Sequence, residues 1–292
     1  MTHPPLLAAL ALVLNALVWG LSWIPFRALQ EAGVHALWAT AMVFGVAVAG
    51  ILVWRPAAWR GFVSEPLLWV LFIASGLSNV GFNWAVTIGD VVRVALLFYT
   101  MPAWAVLLSW LVLGERPSGT RLMQLTLALA GVTVVLKHPD MPWPVPESLA
   151  DYLSLLGGFS FALTNIMLRK LRDTPPASRI LAMFGGGGGT ALVVAVAATA
   201  QGVISGVPAP TLGWVAWAAS LSVGFLGGNL ALQYGASRLS AVAGALIMLS
   251  EVLFASVSSM LLGAAQADAK TWVGGTMILL AALLAARSDK QP

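Results

Sequence analysis

Apolar residues run through this chain in long blocks, separated by short clusters of proline, glycine and charge. A helix that crosses a bilayer needs about 20 predominantly apolar residues. Ten blocks meet or approach that length: 6–29, 34–54, 66–87, 91–113, 119–137, 149–170, 178–201, 212–234, 240–262 and 270–287. The breaks include Arg55-Pro56, Gly114-Glu115-Arg116-Pro117, the stretch from Pro139 to Pro146, Asp173-Thr174-Pro175-Pro176, and the pair Pro208 and Pro210. No block alternates with period two, as the strands of a membrane barrel would. The pattern predicts an all-α membrane protein with ten transmembrane helices.

The blocks repeat. Asn83 to Gly89 (NWAVTIG) matches Asn229 to Gly235 (NLALQYG) at an offset of 146, and Met101 to Gly114 matches Ser250 to Gly263 at an offset of 149. Gly20 to Trp23 (GLSW) is echoed by Gly158 to Phe161 (GFSF) at an offset of 138. Three matches in the same order, with slowly drifting offsets, argue for duplication. The chain then divides into a first five-helix repeat, 1–137, a Pro-rich linker, 138–148, and a second five-helix repeat, 149–292. Five is odd, so the second repeat enters the membrane from the opposite side. Inverted repeats of this kind build transporters, with a central cavity near the midplane and alternating access between two equivalent half-structures.

Composition agrees. Of 292 residues, 59% are hydrophobic and 9% charged, against about 25% charged in a soluble domain. The sequence pI is near 9.9, but the basic residues sit in short loops between apolar blocks, so no nucleic-acid partner is expected. With cytoplasmic termini, the cytoplasmic segments hold Arg55, Arg60, Arg116, Arg121, Arg169, Lys170, Arg172, Arg179, Arg238, Arg287 and Lys290, eleven in all. Arg27, Arg93, Lys137 and Lys270 remain for the other side, eleven and four making the full fifteen. The excess marks the cytoplasmic side. The first block lacks a basic leader and exceeds a signal-peptide core in length, so it reads as a retained helix.

Polar groups inside apolar spans face one another or water. Glu251 is the one carboxylate near the middle of a block. As a neutral acid it would bond a neighbouring helix; as a charge it would mark a solute pathway. On the third block Ser75, Asn79, Asn83 and Thr87 recur every four residues and share a face; Asn229 and Gln233 occupy matching places in the eighth. With Trp19, Trp23, Tyr99, Trp104 and Ser250, these residues form the candidate substrate-binding set: aromatic walls carrying a few hydrogen-bonding groups. Pro25 and Pro102 each remove a helix hydrogen bond and are candidate hinges. Gly187, within the run Gly185 to Gly189, is a third, and the same run equally suits close helix contact.

The chain has no cysteine, and its three histidines, His3, His35 and His138, are scattered at block ends. No metal site, cofactor, Walker loop or serine-hydrolase motif is expected.

Ten blocks, the five-plus-five duplication, Trp19-Gly20 in the first block, and a fourth block with Pro102 closing on Leu113-Gly114-Glu115-Arg116 together resemble the drug/metabolite transporter superfamily, EamA-type branch. Within it the likeness is to bacterial exporters of aromatic amino acids. The resemblance implies eight helices around a central cavity, the fifth and tenth peripheral, and export across the bacterial inner membrane. The chain departs from the pattern at Gly263-Ala264, where Gly-Glu is expected, and at Val252, where a proline is expected.

The function expected is therefore non-enzymatic: secondary export of amino acids, aromatic ones included, and of neutral or zwitterionic metabolites, within the lipid bilayer and with no obligate protein partner. Cationic drugs or metabolites are the alternative cargo, with Glu251 as the acidic candidate. The alternative class is an intramembrane enzyme acting on a lipid-linked substrate.

Overall fold

A computed structural model describes residues 5–114, 119–136, 146–171, 173–236, 247, 250–264 and 269–288. Among them all regular structure is helical. Helices α1 (Pro5–Leu21) and α2 (Trp23–Glu31) are followed by α3 (Ala36–Trp54), a short 3₁₀ turn (Pro56–Arg60) and α4 (Gly61–Ser64). Next come α5 (Leu67–Ile88), α6 (Val91–Phe98), α7 (Met101–Leu113) and α8 (Gly119–Leu136). The second half holds α9 (Leu149–Lys170), α10 (Pro176–Ala200), α11 (Leu212–Ala236), α12 (Ser250–Leu261) and α13 (Ala269–Ser288).

Six stretches of described residues are long and apolar enough to cross a membrane: Leu6–Glu31, Ala36–Trp54, Leu67–Ile88, Val91–Leu113, Pro176–Ala200 and Leu212–Leu232. Helices α8, α9, α12 and α13 occupy the other four expected blocks but fall short of that length or apolarity among the described residues. Most of the linker, 138–145, lies outside the described residues.

Two of the six stretches are interrupted, each beside a proline. In Leu6–Glu31 the helix breaks at Ser22. Pro25 has no N–H to give the Leu21 carbonyl, and Ser22 turns back, its hydroxyl donating to the Trp19 carbonyl at 2.7 Å and its N–H to the same oxygen at 3.1 Å. In Val91–Leu113 the break falls at Tyr99-Thr100, where Pro102 leaves the Phe98 carbonyl without its helical donor.

Helix α5 is central: α9 packs on one flank and α10 on another, while α10 also packs against α3. Helix α1 packs against α11 and α12, and α9 against α6 and α7. Helices α8 and α13 pair with each other and meet the rest through α6 and α7. Where helices lie closest, small residues let their backbones approach: Gly81 faces Gly157 across α5 and α9, and Gly76 faces Gly186 across α5 and α10.

Helix α10 runs unbroken through its five glycines, Gly187 among them. Their bare surface receives the Phe44 ring from α3 and the Phe72 ring from α5. Ser75 completes the α5–α10 seam, donating to the Met183 carbonyl at 3.1 Å. Helices α7 and α12 both end on a left-handed glycine, Gly114 (φ 72°) and Gly263 (φ 68°), the stop that frees a helix terminus without a Cβ clash. These two positions are 149 apart, the offset of the sequence repeat.

A Cβ on Gly186 would sit 2.5 Å from Ser75 Oγ and 2.8 Å from the Phe72 carbonyl carbon, whereas one on Gly50 would meet nothing within 4 Å. Gly186→Ala should therefore cost about 1–3 kcal/mol through overpacking and lower the unfolding temperature in detergent, with Gly50→Ala unchanged or higher. Equal melting of the two variants would contradict the tight α5–α10 seam.

Candidate functional site

The two helix breaks come together at α12. Glu251, in its first turn, is hydrogen-bonded to the Tyr99 hydroxyl from the α6–α7 break. A buried carboxyl needs such a partner, since leaving water without one costs several kcal/mol, roughly 2–7 for a neutral polar group. Tyr99 is itself 4% exposed.

Three more aromatic rings, Trp19, Trp23 and Phe82, face the same small space as Tyr99 and Glu251, beside small and aliphatic residues. Each ring is fixed from behind. Trp23 Nε1 donates to Ser258 Oγ on α12 at 3.0 Å, and the Arg27 guanidinium lies 5.3 Å from the centre of the Trp23 indole. Trp19 stacks on Phe225 of α11, centroids 4.4 Å apart. Phe82 meets Phe98 edge-on at 4.9 Å. The enclosed volume is about 10 Å³, on the order of one water molecule. Among the described residues, no Arg or Lys lines it. Such a site can hold an ammonium group against the carboxyl and an apolar body against the rings, once it is enlarged.

The other expected site residues go elsewhere. Asn83, 1% exposed, donates from Nδ2 to Thr40 Oγ1 on α3 at 3.0 Å. Asn79 donates to the Ser75 carbonyl of its own helix at 2.8 Å, and Thr87 to the Trp84 carbonyl at 2.7 Å. The stripe on α5 thus bonds partly to α3 and α10 and partly to its own backbone. Trp104 packs edge-on against Phe159 of α9, at 5.5 Å, away from Glu251. Ser250 donates to the Ile247 carbonyl at 2.6 Å. Asn229 lies partly buried on α11. Gln233 follows it on α11 and Pro102 opens α7, but the side chains of both lie outside the described residues. Pro25 lies in the first turn of α2.

The sequence pattern missed the charges that close one end of the bundle. Arg27 donates from Nε to the Val86 carbonyl at 2.9 Å and from Nη2 to the Gly89 carbonyl, capping the end of α5. Arg93 on α6 meets Asp151 on α9 through two parallel bonds of 2.8 and 2.9 Å. Asp151 also closes a capping box with Ser148 and accepts from the Glu147 N–H at 3.1 Å. Ser148-x-x-Asp151 was a readable helix-start signal, and an arginine and an aspartate at neighbouring span ends were a readable pair. Val86 and Val91 line the cavity directly beneath these networks. Among the described residues, no three His, Asp or Glu side chains gather as metal ligands.

Residues 6–137 match the EamA-like transporter family. The uncharacterized transporter PA0485 of Pseudomonas aeruginosa is 30% identical over 138 residues, which are 43% of this chain and 45% of that protein. The match spans about half the length of that curated relative. A crystal structure of a protein 18% identical in sequence aligns with a TM-score of 0.58, covering 97% of this chain and 99% of the other. At that identity the likeness is one of fold. The chain is a multi-pass helical membrane protein whose first half is similar to a transporter family.

The Thr40–Asn83 bond is testable by a double-mutant cycle on detergent stability. Thr40→Ala and Asn83→Ala should couple by about 0.6 kcal/mol, the average for hydrogen bonds between membrane helices. Strict additivity of the two single changes would remove Asn83 from the α3–α5 seam.

Proposed function

We propose that this chain is a secondary transporter of the bacterial inner membrane, built from two inverted five-helix repeats and exporting amino acids, aromatic ones included, by alternating access. The observation that carries the reading is the Glu251–Tyr99 bond within a ring-lined cavity between the two halves of the chain. The cavity sits where α2 and α6 from the first half meet α12 from the second. The carboxyl receives the substrate's ammonium group, and Trp19, Trp23 and Phe82 receive its side chain. No cofactor takes part, and the cargo moves unmodified. Within the EamA-type branch the sequence is most like the bacterial aromatic amino acid exporter YddG.

Several contacts support the inverted repeat. Gly89 closes on Ala150, and Gly235, 146 residues later, closes on Leu12, 138 residues before Ala150. The α5–α9 seam thereby has its counterpart in the α11–α1 seam. The pairs α3–α10 and α8–α13 each join an element to its own counterpart. The eleven-to-four distribution of basic residues supports cytoplasmic termini. Alternating access then widens the cavity towards one face while the charged end holds the other. Ligand cavities are commonly about 300–1,000 Å³, so the present state is an occluded one.

A second reading is favoured by one specific feature. The cavity pairs a carboxyl with aromatic rings and, among the described residues, has no lining Arg or Lys, which suits an organic cation lacking a carboxylate as well as it suits an amino acid. An intramembrane enzyme, the other class, would return chemically altered solute.

Counterflow of labelled tryptophan, phenylalanine and their decarboxylated amines in proteoliposomes separates these readings. Glu251→Gln keeps the bond to Tyr99 but loses the charge, and should slow counterflow about tenfold, equivalent to about 1.4 kcal/mol. Wild-type rates in Glu251→Gln would sink the ammonium assignment; transport of the amines alone would select the cation reading. In whole cells, a C-terminal reporter active only outside the cytoplasm should stay silent, and a strong signal would overturn the topology.

A further inference from the structure

A second, larger hollow lies on the outside of the bundle, far from Glu251 in the packing order. Its floor is glycine, with Gly45 of α3 beside Gly185, Gly188 and Gly189 of α10. Its walls are apolar side chains such as Val48, Leu181 and Leu192. The volume is about 660 Å³. Along α10 it extends from Leu181 to Leu192, which at about 1.5 Å per residue is about 16 Å. One leaflet of a bilayer offers about 15 Å of hydrocarbon, half the usual thickness of about 30 Å. The groove is therefore as long as one leaflet is deep.

One end carries the marks of a membrane–water interface. Trp59 and Phe62, from the turn and α4, fold across that end beside Trp69, and indole rings favour the headgroup level. The turn is fastened there by Ser178, whose hydroxyl donates to the Ala58 carbonyl at 2.8 Å. The same junction is basic. Arg55 and Arg60 bracket the turn and are exposed, and Arg179 follows Ser178, its buried Nε without a hydrogen-bond partner among the described residues. Glu65 is the nearby acid on the turn side and accepts from the Leu67 N–H.

We propose that this groove is a binding site for one anionic phospholipid of the leaflet at the Arg60 end. One acyl chain lies along the bared face of α10, and the phosphate headgroup is held by Arg60 and Arg179. Beside the Phe44 and Phe72 rings that cover part of it, the glycine run leaves the helix surface open to a depth that a leucine-lined helix would fill with its own side chains. The chain occupies that depth with apolar contact, and the cations make the seat selective.

Gly45 is the position that tests this without disturbing the fold, because a Cβ there meets nothing within 4 Å. Gly45→Leu fills the groove, and Gly50→Leu, equally open but outside the groove, serves as control. Purified full-length protein is equilibrated with equal amounts of phosphatidylglycerol and phosphatidylcholine, and retained lipid is counted by native mass spectrometry. Wild type and Gly50→Leu should retain one phosphatidylglycerol, and Gly45→Leu should lose it. Arg60→Gln and Arg179→Gln should each reduce the preference for phosphatidylglycerol about fivefold, the equivalent of about 1 kcal/mol per cation near a charged lipid surface. Retention of detergent only by the wild type, or equal lipid retention in Gly45→Leu, would overturn the site. An unchanged headgroup preference in both arginine variants would overturn the role of the cations.

Discussion

In hydrocarbon, a leucine gains little by exchanging lipid for another helix, so membrane helices are held by close approach and by the few polar bonds between them. That constraint organises this molecule. Helix α5 touches α9 and α10 where glycine faces glycine, and α1 meets α12 where Gly20 lies against the Glu251 carbonyl. The polar bonds fall along the same seams: Ser75 to α10, Asn83 to α3, Trp23 to α12. Large side chains such as Leu111, Leu212 and Leu261 point outward, the reverse of a soluble bundle, because their surroundings reward them equally on either side.

The seams also explain where function can reside. A helix that is bonded along its length and packed glycine to glycine moves as a rod. The chain is interrupted where proline removes a bond, at Ser22 and at Tyr99-Thr100, and these interruptions converge on Glu251. The cavity there is closed by side chains more than by backbone: three rings and a phenol. Rotation of rings about χ angles enlarges such a space at less cost than separating two glycine-packed backbones, so the breaks and the rings are the compliant parts of a stiff frame.

Much of the fold was legible in the sequence because hydrophobic block length is a direct physical demand of the bilayer. The expected 91–113 coincides with Val91–Leu113, and 34–54 falls within two residues of Ala36–Trp54. The short turn and α4 between α3 and α5 were hidden, being too brief to show a period. For the site, Trp19, Trp23, Tyr99 and Glu251 of the expected set line one cavity. Phe82, which lines the same cavity, was outside that set. The stripe on α5 was visible as a face, but four-residue spacing says nothing about which neighbour that face meets, and Asn83 met α3. Trp104 is half a turn away from the direction of Tyr99, and turned to α9 instead. Arg27 and the Arg93–Asp151 pair escaped notice because charges at block ends read first as topology signals.

That pair has an energetic consequence. Asp151 is 2% exposed and also accepts from the Glu147 and Ser148 N–H groups, whereas Arg93, 28% exposed, already reaches solvent. Parting α6 from α9 therefore leaves neither charge stranded. The pair then contributes on the order of 1.5–3 kcal/mol to the α6–α9 contact, as hydrogen bonds to charged groups do, a bias and not a lock.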